Sequence, residues 1–224
     1  MSEMQVHNGD EAPTRAALWA LLARVVIERP TPQWLDELDT ELATVEAGRP
    51  LAPQLSGLLV ALRKSRRHPG GATVLAVDRT RLLSMVMHGE TLSPPCESAA
   101  LGAAPGGDRV LDVLRSYREA GYEAMAALGA PDHLGNELRF VAHLCRLEGE
   151  ALAAGDAAAA QRWRAQQLRF LSRHVLAWVP AHCEQLAAKA ATGYYAAAAV
   201  LIGRACKLAL DELDPFTPMI PVAA

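Results

Sequence analysis

Residues 130–144 read APDHLGNELRFVAHL, and within them Asp132, His133 and Glu137 are the side chains whose types and spacing could carry chemistry. A neighbouring carboxylate and imidazole can work as a base with its orienting acid, can ligate a divalent metal, or can hold a cationic peptide. Nucleophilic catalysis would need a Ser or Cys delivered to His133, and the chain has no GxSxG elbow to present one. A metal site would want several His, Asp or Glu converging, and helical pairs of HxxxH or ExxH spacing are absent. His133 can reach Glu137 one helical turn on, an interaction of only a few tenths of a kcal/mol. Three readings stay open on these residues: a helical metal-dependent hydrolase using Asp132, His133 and Glu137; a receptor for another chain; and a structural helical adaptor in which Asp132 only caps its own helix.

The elements that must position these groups read as helical. Ala and Leu recur at three- and four-residue spacing almost throughout, and β-branched residues never collect into alternating runs. Pro13-Thr14 precedes a segment carrying Leu18, Leu22, Val25 and Val26 on one side, and Thr31-Pro32 reads as an N-cap followed by proline at the first helical position. Further helices are expected over 53–66, 73–88, 108–120, 132–154, 156–188 and 190–212, with Asp156 as an N-cap and Pro180 bending or splitting the long one. The fold class is all-α, one helical bundle of about eight to ten helices spanning 1–224. Gly89–Gly107 is rich in Pro, Gly and Ser and reads as an irregular connection or hinge, open to a monomer or a domain-swapped dimer. The tail from 214 to 224, with three prolines, cannot continue the last helix.

Helix 132–154 shows one apolar stripe of Leu134, Leu138, Val141 and Cys145 and a second of Phe140, Leu144 and Leu147. Asn136, Arg139, His143, Arg146 and Glu150 form a polar strip, which places His143 among solvent-facing charges. His174 lies four residues from both Phe170 and Trp178 and reads as an imidazole between two rings, and His182 as a core histidine donating one hydrogen bond.

With 51% hydrophobic and 21% charged residues among 224, the chain can bury a sizeable core. A net charge of -3 and a pI near 6.2 argue against nucleic acid as a partner. Arg63-Lys64-Ser65-Arg66-Arg67 reads as a solvated helix C-terminus, its cations near the negative dipole end. No secretory signal and no membrane-length apolar run is evident, which predicts a cytoplasmic protein. Cys96, Cys145, Cys183 and Cys206 are scattered without CxxC spacing and read as buried, reduced thiols. Nothing calls for a cofactor.

The order AVDRTRLL (76–83), PPCES (94–98), PDHLGNELRF (131–140), FLSRHVLAWVP (170–180) and Tyr194-Tyr195 resembles the TorD/DmsD/NarJ family of molybdoenzyme chaperones, over roughly residues 73 to 212. The first 70 residues match only in being helical, and Cys96 stands where that family usually carries an aromatic residue. The resemblance implies an all-helical protein without enzymatic turnover. It would bind the catalytic subunit of a molybdenum oxidoreductase, often through a twin-arginine leader and possibly through the mature domain, until the molybdenum cofactor is inserted. It also implies that Asp132 and His133 belong to the leader-binding region, with Glu97 and Ser98 on the nearby loop. A leader with two guanidiniums before an apolar, helix-prone stretch needs carboxylates beside an apolar groove, for which Asp132, Glu137, Glu97 and Glu123 are the candidates. Some members are linked to guanine nucleotides, and no phosphate loop appears in this chain.

Overall fold

In the computed structural model, residues 8–44, 50–84 and 93–213 are described. Among them the chain forms the expected all-α fold, with ten α-helical segments and no strand. These are α1 (Asn8–Ile27), α2 (Pro32–Ala43), α3 (Ala52–Arg67), α4 (Gly71–Leu83), the single turn α5 (Glu97–Ala100), α6 (Asp108–Glu119), α7 (Leu134–Ala153), α8 (Ala157–Phe170), α9 (Leu176–Lys189) and α10 (Gly193–Leu213).

Local chemistry sets several boundaries. The Thr31 hydroxyl accepts the Trp34 N–H at 3.1 Å and Pro32 opens α2, while the Asp156 carboxylate accepts the Ala159 N–H at 2.8 Å and opens α8. Other boundaries differ from the periodicity. Helix α1 begins at Asn8 and carries Pro13 inside it, and α4 closes at Leu83, so the expected extension to 88 lies outside the described residues. Part of the 89–107 connection, residues 89–92, and the tail from 214 also lie outside them; the rest of the connection includes α5.

The expected helix 156–188 is interrupted, and at a place upstream of Pro180. Leu171–Val175 forms a widened π turn in which the Leu176 N–H reaches back five residues to the Leu171 carbonyl. The buried positions explain it. Phe170, His174, Trp178, His182 and Leu186 recur every four residues, and each such step turns 400° on an α-helix, so the stripe would drift by about 40° per step around the axis. A turn holding one extra residue absorbs part of that drift and keeps both halves facing the core. Pro180 then sits inside α9 without ending it.

One continuous core joins residues from α1 to α10 around Trp19, Trp34, Tyr117, Phe140, Phe170, Trp178, Tyr194 and Tyr195. Helix α1 lies antiparallel on α7, with Ile27 beside Gly135 at one end and Pro13 beside Gly149 at the other. Helix α10 packs on α9 and α3. By length and composition Gly193–Asp211 could cross a membrane, an exception to the sequence expectation, yet half of it is buried within this packing. All four cysteines are buried and outside any disulfide, as expected. The basic cluster closes α3 and is exposed, as expected, and two of its cations, Arg63 at 2.7 Å and Arg66, also pair with the nearly buried Asp39 and so tie α3 to α2.

The α1–α7 contact depends on a missing side chain. A Cβ on Gly135 would stand 2.6 Å from Ile27 Cγ1. Gly135→Ala is therefore expected to destabilise the fold by about 1–3 kcal/mol, read as a lower denaturant midpoint, with Ile27→Ala recovering part of the loss in the double variant. Additive effects of the two substitutions would contradict this packing.

Candidate functional site

The Asp-His pair sits where two extended segments cross. Residues 94–98 and 131–134 run antiparallel and pair at Cys96 and His133. The Glu97 N–H donates to the Asp132 carbonyl at 3.0 Å and the Leu134 N–H to the Pro95 carbonyl at 2.8 Å. The Asp132 side chain adds a third link, its Oδ2 accepting the Ser98 N–H at 2.8 Å. Asp132 thus satisfies a backbone donor of α5, 34 residues away in sequence, rather than capping the helix that follows it. That cap is His133, whose Nδ1 accepts the Gly135 N–H at 3.0 Å. An accepting Nδ1 puts the ring proton on Nε2, which bonds the Leu83 backbone. Burial, reinforced by Arg79, pushes the His133 imidazole down to about 4, against the opposing pull of Asp132, so it is neutral at pH 7.

Below this crossing lie further carboxyls. Glu97 is fully buried and bridges two elements: Oε1 accepts from Arg109 at 2.8 Å and Oε2 meets His174 Nδ1 at 2.9 Å. Glu137, also fully buried, accepts the Trp178 indole N–H at 3.1 Å on Oε2, while its Oε1 has no hydrogen-bond partner among the described residues. Burial first, then Glu97 and Asp132 nearby, hold the Glu137 carboxyl well above the usual carboxylate range. The Tyr117 hydroxyl donates to the Pro131 carbonyl at 3.0 Å and fixes the loop ahead of Asp132.

Of the residues expected to act together, the fold gathers Glu97, Ser98, Asp132, His133 and Glu137 into one buried cluster, and Glu123 stays exposed on the α6–α7 connection. Asp132, His133 and Glu137 each face a different partner, and the expected His133–Glu137 contact is replaced by the Gly135 N–H and the Trp178 indole. Among the described residues no group of three or more His, Cys, Asp or Glu side chains is placed to hold a metal ion. The arrangement fixes two loops against each other.

Other groups in the corner escaped the periodicity. Asn136 is buried, not on a polar strip: its Oδ1 accepts the Met125 N–H and its Nδ2 donates to the Ala130 carbonyl, both at 2.9 Å, which pins the loop over the start of α7. His143 is likewise half-covered, with Nε2 2.8 Å from the Ala120 carbonyl and its ring against Tyr122. His174 stacks on Phe170 as expected, but meets Glu97 in place of Trp178. The Trp178 ring packs edge-on against His182, which is buried in the core as expected, with its Nε2 unpartnered among the described residues. Arg109 carried no sequence signal for its pairing with Glu97.

These burials set opposing pH dependences. Burial pushes His182, like His133, from 6.5 down to about 4. A depressed folded pKa contributes stability that is present above pH 6.5 and is lost as pH falls toward 4, by about 3 kcal/mol for each histidine. The raised Glu137 works in the other direction: its contribution is present below its ordinary pKa of 4.5 and is lost as pH rises through the raised value. His182→Leu is expected to flatten the fall of the denaturant midpoint between pH 6.5 and 4, and an unchanged slope would place the acid sensitivity elsewhere.

Compared with curated proteins, the chain finds no match. A family model described as nitrate reductase delta subunit matches residues 33–184, taking in both halves of the interlocked corner and beginning well ahead of the motifs from 73 onward. Because that match spans more than half of its 224 residues, the chain belongs to the nitrate reductase delta subunit family, a family of molybdoenzyme maturation chaperones.

Proposed function

We propose that this protein is a cytoplasmic chaperone for the catalytic subunit of a DMSO-reductase-type molybdenum oxidoreductase. It binds that subunit through the twin-arginine leader and holds it until the molybdenum cofactor is inserted, turning over no substrate of its own. The observation that supports this reading most directly is that the family match runs through both segments of the Asp132–Ser98 crossing. A receptor for a peptide benefits from loops fixed before the peptide arrives, because each loop residue ordered on binding costs affinity.

In this reading the six residues divide into two roles. Asp132, His133, Glu97, Ser98 and Glu137 are buried and shape the corner through the backbone they hold. Glu123, exposed on the connection, is the carboxylate of the set that can meet a guanidinium directly.

Calorimetric titration of the full chain with a synthetic peptide carrying two adjacent arginines and an apolar stretch tests the proposal, with a Kd of about 1 μM or tighter expected, near −8 kcal/mol. Glu123→Gln should weaken binding by about 3- to 10-fold while leaving the melting curve unchanged. Asp132→Asn should weaken both binding and stability. A wild-type chain that does not retain the peptide rejects leader recognition.

A further inference from the structure

The corner itself is closed, and the apolar space a leader needs lies elsewhere on α1. A groove of about 420 Å³ opens between α1, the start of α3 and α10, walled by Leu18, Leu21, Leu51, Leu55, Leu208 and Ala209. Its volume falls within the range of ordinary ligand pockets and suits a few aliphatic side chains.

One end of this groove is acidic. Glu41 of α2 stands on the rim, and its carboxylate belongs to a group in which Arg24 alone meets Glu28 at 2.8 Å, Glu37 at 3.0 Å and Glu41 at 2.7 Å. Among the described residues these three carboxylates share that single guanidinium as ion-pair partner, which leaves two formal negative charges over. Their side chains are 43–50% exposed, so a second cation can reach them without displacing a buried group. Arg15, the cation lining the groove, is instead engaged by the nearly buried Glu148 at 2.7 Å.

The two features adjoin. From Leu18, which lines the groove, to Arg24, which holds the three carboxylates, α1 advances six residues, about 9 Å along its axis at 1.5 Å per residue. A ligand with guanidiniums at one end and one or two apolar helical turns after them would cover acid and groove together. We propose that the groove between α1, α3 and α10 receives the apolar, helix-prone stretch of the partner's leader, and that Glu37 and Glu41 receive its arginines. This deepens the proposed function and rests on it: the buried Asp132 corner fixes the frame, while charge complementarity at α2 recognises the peptide.

The test places a photo-crosslinking benzoylphenylalanine at position 18 of the full chain, with the twin-arginine peptide present at a saturating concentration. Crosslinks mapped to the apolar stretch of the peptide support the groove. Crosslinks to residues 214–224 of the same chain, or none to the peptide while calorimetry still shows binding, overturn the groove and leave leader recognition standing. A peptide that fails to bind the unaltered chain overturns both. In parallel, the Glu37→Gln, Glu41→Gln double variant should lose about 10-fold in affinity with a shallower salt dependence, yet bind a peptide with both arginines replaced by glutamine as the wild type does. Equal affinity of variant and wild type for the arginine peptide excludes the two carboxylates.

Discussion

The rest of the site depends on a backbone donor that would otherwise be buried without a partner. The Ser98 N–H lies at the start of a helix too short to be held by its own hydrogen bonds, and the Asp132 carboxylate accepts it from across the fold. An unsatisfied buried donor costs about 1–3 kcal/mol, so the crossing of 94–98 over 131–134 is strongly specified. Everything beneath it follows. With α5 fixed, Glu97 points inward to Arg109 and His174, and His133 is left to open α7.

Three carboxyls then share one interior, and each is tolerated by a different device. Asp132 accepts the Ser98 N–H, Glu97 lies between a guanidinium and an imidazole, and Glu137 is raised well above the usual carboxylate range by burial and by its two acidic neighbours. Two histidines, His133 and His182, are held neutral close by. Such a cluster is a constraint on shape more than a source of reactivity: its donors and acceptors are largely committed, and the one oxygen left without a partner among the described residues, Glu137 Oε1, is buried.

Much of the scaffold was legible because local rules decide it. Thr31 and Asp156 cap where their side chains predict, Leu134, Leu138 and Val141 face inward, and the cysteines are buried. The misread residues all take their surroundings from distant chain. Asn136 and His143 sit on the strip that periodicity assigns to water, but the loop from Ala120 to Ala130 folds back over it. Asp132 looks like a helix cap because its true partner is 34 residues upstream. In the same way the carboxylates of the corner read as a rim from their types alone. Only the packed structure shows that Glu41 stands at a groove while Glu97 and Glu137 are buried.

The widened turn at Leu171–Val175 also decides where chain length is a constraint. Each residue of an α-helix rotates the following ones by 100°, so a residue gained or lost in the regular helix on either side would swing everything beyond it by about that angle, whereas the widened turn holds one residue more than a regular turn and can give it up with both flanks still in phase. A one-residue change in α9 ahead of Trp178 would carry Trp178 and His182 out of the interior together, and Glu137 would lose its indole. Divergent sequences that keep this architecture are therefore free to drop a residue between Phe170 and Leu176 far more readily than within α8 or α9.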